Sequence, residues 1–185
     1  MAVCETDELA HAAVAPGREA FRDIVRVFGD AMLDAEGRID RPRLARRVFA
    51  DASERAALNA IVHPRVREAL AVWLRERARA GRRACAAIIP LLYEAGFDEG
   101  WDAVVCVAAS EATQRARLSA RGLTPEEARG RLEAQLPVWE KAARADYVIV
   151  NDGSEGLAEA QALRVLSNIL ERPICRGKGR VHTTE

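Results

Sequence analysis

Three side chains capable of acid–base chemistry follow a short apolar run at the start of the sequence. Residues 2–4 (AVC) have the pattern of a buried strand end, and Glu5, Asp7 and His11 come directly after it. Open α/β sheets bind their ligands at the carboxyl ends of strands, and His11 lies one helical turn beyond Asp7. We therefore predict a reactive strand-to-helix turn. Helix N-capping is the alternative role for Asp7, and a structural hydrogen bond is the alternative for His11.

Further polar candidates lie in or beside the later elements. His63 precedes Pro64 and is expected to cap a helix over residues 64–80, with substrate contact as its other role. Glu94 is expected to end a strand, as a substrate-binding group or an ordinary strand-end carboxylate. Arg121 and Arg144 are candidates for phosphate, because the planar guanidinium matches a phosphate group with paired donors. Lys141 is predicted to face solvent.

Four apolar runs are expected to form the sheet that positions these side chains. They cover residues 2–4, 84–92, 103–107 and 147–150. Continuous apolar runs separated by helical patterns are typical of a parallel sheet with both faces covered, and so of the α/β class. Between them, Ser110, Thr124 and Ser154 are predicted to cap helices, with a Thr124–Glu127 capping box. Residues 16–63 predict a helical insert, and residues 172–185 have no periodicity.

Composition limits the function further. The 185 residues carry 28 basic and 28 acidic side chains, so net charge is zero and neither nucleic acid nor a membrane surface is favoured as a partner. The length fits one domain, 1–185. The four cysteines lie far apart, which favours small buried hydrophobes over a metal site or disulfide. With no signal peptide and no long apolar run, we expect a cytoplasmic protein.

Six stretches, in order, resemble the dephospho-coenzyme A kinase family. VCETDELAHAAVAPG is similar to the family's V-I-D-A-D-x-x-A-H-x-x-x-x-P-G, and IIPLLYEAG is similar to its V-P-L-L-F-E-S-G strand. LARRVFAD and LNAIVHP match the family's helical insert. LSARGLTPEEA and AQLPVWEKAARADYVI match its lid, and NDGS matches the turn beyond. Glu5 replaces the family's first Asp, and Val150 replaces the usual Asp before Asn151.

The resemblance implies a fold and an activity. The fold is a three-layer parallel sheet of the P-loop nucleotide kinase type, with a helical insert (16–63) and a lid (122–144). The activity is phosphorylation of the ribose 3′-hydroxyl of dephospho-coenzyme A by ATP with Mg²⁺, the last step of coenzyme A synthesis. Asp7 would be the base, with Arg144 and Arg121 on the phosphates. The remaining implied contacts are substrate binding by Glu5, His11, His63 and Glu94, and nucleotide binding by Asn151 and Gly153.

One part of the family pattern is missing from the printed sequence. A P-loop needs G-x-x-x-x-G-K-[ST], whose backbone amides and lysine bind phosphates. The only Gly-Lys pair, Gly177-Lys178, is followed by Gly179, and Arg172 stands where the first Gly belongs. We therefore expect the central P-loop strand to be absent and these 185 residues to bind ATP weakly or not at all. Two explanations stay open: a start placed too late, or a truncated remnant or inactive paralogue.

Overall fold

The computed structural model describes residues 1–171, and its contacts divide the chain into two compact units, Met1–Pro90 and Leu91–Glu185. Among the described residues, each unit contains two parallel strands and four α-helices. The chain is therefore α/β, as predicted. Its description as one domain stays a prediction, and the predicted loose tail lies outside the described residues. Among the described residues, no helix is long and apolar enough to cross a membrane.

The first unit is built around a parallel strand pair. Strand β1 (Ala2–Glu5) pairs with β2 (Cys85–Ile88), with Ala2 opposite Cys85 and Glu5 opposite Ile88. The strand predicted over residues 2–4 is confirmed. The strand predicted over 84–92 is too long, because Pro90 has no amide to donate to a ladder. Residues 90–96 form turns instead of strand.

Four helices complete this unit: α1 (Thr6–Ala13), α2 (Glu19–Phe28), α3 (Arg41–Ala50) and α4 (Ala52–Arg79). A 3₁₀ turn (Asp30–Met32) follows α2. The apolar faces of α2 and α3 enclose a core that consists of Ile24, Phe28, Met32, Ile39, Leu44 and Val48. Residues 16–63 are thus mainly helical, as the pattern indicates. Their role as a substrate insert stays a prediction.

Helix α4 begins earlier than predicted and passes through Pro64. Its N-cap is Asp51, whose carboxylate accepts hydrogen bonds from the Ser53 and Glu54 amides. An interior proline removes one helical hydrogen bond, but a helix already capped at Asp51 continues over 28 residues. The prediction that His63 begins or caps a helix is therefore wrong, since His63 lies in the helix interior.

The second unit also has one parallel strand pair, β3 (Val105–Ala108) and β4 (Tyr147–Val150). Its helices are α5 (Glu111–Ala120), α6 (Pro125–Glu133), α7 (Val138–Arg144) and α8 (Glu155–Glu171). Ser110 caps α5, and Thr124 with Glu127 forms the predicted capping box of α6. The hydroxyl of Ser154 accepts from the Leu157 amide at the start of α8, at 3.4 Å.

The described strands pair as two separate two-stranded sheets. The ladders join β1 to β2 in the first unit and β3 to β4 in the second. The sequence predicted one parallel sheet whose central strand is missing. Both strand pairs are parallel, as predicted, whereas the isolated bridge between Leu33 and Ile39 is antiparallel. The absence of a central strand stays a prediction.

Candidate functional site

The acidic turn in the first unit lies at the carboxyl end of β1. Glu5 is the last residue of the strand and occupies the N-cap position of α1, without a side-chain cap bond. Asp7 lies in the first helical turn and is exposed, and His11 is exposed one turn later. The alternative that Asp7 caps the helix is therefore wrong. Its carboxylate is open to solvent near the positive end of the helix dipole.

Thr6 fixes this turn to the neighbouring strand. It lies between Glu5 and Asp7 and is buried, with 6% exposure. Its Oγ1 donates a hydrogen bond to the Ile88 carbonyl at 3.0 Å. Ile88 is the last residue of β2 and lies opposite Glu5. The hydroxyl thus continues the contact between the strands beyond the last ladder position. Sequence analysis missed Thr6, because the family motif has Ala between its two acids.

His63 is half-buried on α4, the helix that packs against α1. Burial lowers the pKa of the His63 imidazole, and the nearby Arg67 cation lowers it further. The neutral imidazole is therefore favoured at neutral pH. A neutral ring can donate at one nitrogen and accept at the other, which suits contact with a hydroxyl or an amide.

In the second unit, Glu94 lies in a turn and is engaged by two donors. Its Oε1 accepts from Lys141 Nζ at 2.7 Å and from the Leu136 amide at 2.9 Å. The prediction that Glu94 ends a strand is wrong, as is the solvent-facing position of Lys141, whose side chain is 15% exposed. Burial alone would raise the pKa of Glu94, but the bonds from Lys141 and Leu136 hold it below its ordinary value.

Arg144 is held at the end of α7. Its guanidinium lies over the Tyr93 ring, 4.1 Å from the centroid, and Nη2 donates to Asp98 Oδ2 at 3.0 Å. Burial raises the pKa of the Tyr93 phenol, although the Arg144 cation opposes the shift. Arg121 is different: it is the exposed C-cap residue of α5, and its described contacts are through its backbone amide. The positively charged Arg144 side chain is thus held in a defined position.

The turn after β4 is tied to the start of α5. Asp152 Oδ1 accepts from both the amide and the hydroxyl of Ser110, each at 2.8 Å. Asn151 Oδ1 accepts from Arg117 Nη2 at 3.3 Å. A Cβ on Gly153 would lie 3.0 Å from the Leu157 side chain, so this glycine permits tight packing against α8. The sequence singled out Asn151 and Gly153 but missed Asp152, whose partner Ser110 belongs to a distant loop.

The two units gather different chemistry. Glu5, Asp7 and His11 lie at or just after the β1–α1 turn. Glu94 and Arg144 both take part in the contacts between residues 93–98 and α7. Within residues 1–171, no group of three or more His, Cys, Asp or Glu side chains could hold a metal ion.

A family model decides the relationship of this chain. The model described as "Dephospho-CoA kinase" matches residues 1–156, which include the acidic turn and the whole of α7. The chain belongs to the dephospho-CoA kinase family. It is therefore a member of a family of kinases, which are phosphotransferases.

Curated dephospho-CoA kinases match most of the chain. The protein from Symbiobacterium thermophilum is 43% identical over 179 residues, which span 96% of this chain and 73% of the relative. The protein from Geobacillus kaustophilus is 42% identical over 165 residues, 89% of this chain and 82% of the relative. These shares agree with a resemblance spread along the sequence rather than confined to one motif.

Solved structures give the same fold. The crystal structure of TT1252 from Thermus thermophilus matches with a TM-score of 0.75 and 36% identity, covering 90% of this chain and 83% of that one. A dephospho-CoA kinase from Campylobacter jejuni matches with a TM-score of 0.64 and 24% identity, covering 91% and 85%. The similarity to the latter supports an α/β kinase fold, and the family rests on the sequence relatives.

Proposed function

We propose that this protein acts in the ATP-dependent phosphorylation of the ribose 3′-hydroxyl of dephospho-CoA, the last step of coenzyme A synthesis. The observation that carries the proposal is the family match over residues 1–156. The exposed Asp7 carboxylate supports it, since a base must reach the hydroxyl whose proton it accepts. The cytoplasmic location stays a prediction.

Roles are proposed for each unit by itself. In the first unit, Asp7 would orient the 3′-hydroxyl and accept its proton, while Glu5, His11 and His63 contact dephospho-CoA. In the second unit, Arg144 would meet developing phosphate charge, with Arg121 as a second cation. Charge neutralisation and positioning supply most of the catalysis in phosphoryl transfer.

The nucleotide contacts complete the proposal. Asn151 and Gly153 would lie beside the base of ATP. Mg²⁺ would arrive with ATP and reduce the charge on its phosphates.

For a polypeptide of these 185 residues alone, we propose binding of dephospho-CoA without turnover. The printed sequence contains no G-x-x-x-x-G-K-[ST] segment to grip the triphosphate. This favours a dephospho-CoA-binding role for that polypeptide over catalysis.

Calorimetry and a product assay test both parts. The 185-residue protein is titrated with dephospho-CoA and with MgATP, and coenzyme A formation is followed by mass spectrometry. We expect binding of dephospho-CoA, weak or no binding of ATP, and no product above a protein-free control. Failure to bind dephospho-CoA would refute the proposal that it is the substrate. Steady formation of coenzyme A would refute the proposal that these 185 residues do not catalyse the reaction.

Variants of the acidic turn identify the residues involved. Asp7→Asn should weaken dephospho-CoA binding several-fold, because an amide accepts the hydroxyl less strongly than a carboxylate. Glu8→Gln is the matched control, since Glu8 is an exposed acid next to Asp7 on the same helix. If a form of the protein with turnover is obtained, Asp7→Asn should lower kcat by about 10²–10⁴-fold. Equal affinities of the two variants and the wild type would exclude Asp7 as a substrate contact.

A further inference from the structure

Both cationic side chains of α7 are held by one short segment of the same unit, residues 93–98. Lys141 pairs with Glu94, and Arg144 lies on Tyr93 and pairs with Asp98. Lys141 and Arg144 are three residues apart and therefore share one face of the helix. Tyr93, Glu94 and Asp98 thus contact this face of α7, which also packs against β3.

The Glu94–Lys141 pair is the better protected of these two contacts. Their side chains are 18% and 15% exposed, whereas those of Arg144 and Asp98 are 41% and 32% exposed. An exposed ion pair contributes little to stability and does not by itself hold a long side chain in one position. Shielding from water strengthens the attraction between two charges, so removing one partner of a partly shielded pair costs more stability than removing one partner of an exposed pair. The stronger constraint on α7 therefore comes from Glu94.

Glu94 also holds the segment that leads into α7. Its Oε1 accepts from the Leu136 amide, two residues before the helix begins at Val138. Lys141 Nζ additionally donates to Gln135 Oε1 at 3.0 Å. One carboxylate oxygen thus joins the connector before α7 to the middle of the helix. A helix of only seven residues needs such anchoring, because its own hydrogen bonds are too few to fix it.

We propose that Glu94 is a positioning residue, which with Lys141 anchors α7 and so sets the location of the Arg144 guanidinium. We call Glu94, Gln135, Leu136 and Lys141 the α7 anchor. The inference rests on the proposed function, in which Arg144 meets phosphate charge. It gives Glu94 a role that requires no contact with dephospho-CoA.

The position of Arg144 can be read directly by NMR in the ligand-free protein. Protons held over an aromatic face are shifted upfield, so the Arg144 side-chain signals report whether its guanidinium stays on Tyr93. The signals are assigned with Arg144→Lys and with Tyr93→Leu, which removes the ring. We expect Glu94→Gln and Lys141→Met each to move the Arg144 signals at least halfway to their positions in Tyr93→Leu. Glu99→Gln, an exposed acid nearby, is the control and should leave them unchanged.

Amide hydrogen exchange separates the two bonds of Glu94. In Glu94→Ala the Leu136 amide loses its acceptor, and its exchange should accelerate by about tenfold or more. In Glu94→Gln the side-chain carbonyl still accepts, so Leu136 should keep most of its protection while the ion pair is lost. Lys141→Met should behave like Glu94→Gln. Slow exchange in β3 and β4 verifies that each variant is folded.

Two results would overturn the proposed positioning role of Glu94. Arg144 signals that stay at their wild-type positions in folded Glu94→Gln or in folded Lys141→Met would show that α7 needs no anchor. The inference also fails if Glu94→Gln abolishes dephospho-CoA binding while Arg144 stays on Tyr93, because Glu94 would then contact substrate. Since the NMR measurement uses no ligand, its outcome is independent of whether the protein binds dephospho-CoA.

Discussion

Replacing Thr6 by Val tests the contact that holds the acidic turn. The hydroxyl is 3.0 Å from the Ile88 carbonyl, and the residue is 6% exposed, so the bond is shielded from water on the threonine side. Val has a similar shape but no donor. The net value of such a bond is about 1 kcal/mol, and the residue that accepts it, Ile88, is 50% exposed. We therefore expect Thr6→Val to lower the free energy of unfolding by about 1 kcal/mol.

Urea denaturation followed by circular dichroism measures this loss. With a slope of about 2 kcal/mol per molar urea, the midpoint should fall by about 0.5 M. Thr6→Ala removes the methyl group as well and should cost about 0.8 kcal/mol more. Amide exchange in β1 and β2 should accelerate in both variants. A Thr6→Val protein as stable as the wild type would show that the hydroxyl does not hold the turn.

Two further predictions concern the two units separately. The pKa of His63 is lowered by burial and by Arg67, so the unfolded chain binds more protons near the ordinary value of 6.5. The free energy of unfolding should therefore fall as the pH drops through about 6.5, and it should fall less in His63→Gln than in the wild type. Urea midpoints of both proteins at about pH 7.5 and about pH 5.5 measure the difference, and equal losses in the two proteins would contradict the prediction. Ser110→Ala removes the cap of α5 and the hydroxyl bond to Asp152, and should cost about 1 kcal/mol by urea denaturation. The exposed Ser119→Ala is its control, and equal midpoints for both would argue against the cap.

Local patterns predicted most of the elements correctly. A parallel strand covered on both faces needs apolar residues at every position, and this expectation made residues 2–4 and 147–150 recognisable as strands. The expected cover on both faces is not observed, because Val3, Val148 and Val150 are exposed. Caps are similarly local, since Ser110 and Thr124 bond to amides only three residues away. The end of β2 was placed too late, because the apolar run continues past the proline that ends the ladder.

Contacts between distant parts of the sequence could not be predicted in the same way. Lys141 lies in a helical pattern without any local sign of burial, and its partner Glu94 belongs to another segment. The start of α4 was missed because Pro64 normally marks a helix boundary, whereas the Asp51 cap lies a dozen residues earlier. Such errors follow from tertiary packing, which selects among the structures that a local pattern allows.

A comparable arrangement supports the proposed chemistry in each unit. Asp7 is exposed, and the buried Thr6 beside it bonds to the end of β2. Arg144 is partly exposed, and the better shielded Glu94–Lys141 pair holds the helix that carries it. A charged side chain must be open to reach a substrate, yet an open side chain gains little from its own contacts and loses entropy when ordered. Its position must therefore be fixed by a shielded neighbour. Thr6→Val should therefore disturb the substrate contacts of Asp7, and Lys141→Met should disturb the phosphate contacts of Arg144, although neither Thr6 nor Lys141 is proposed to touch a ligand.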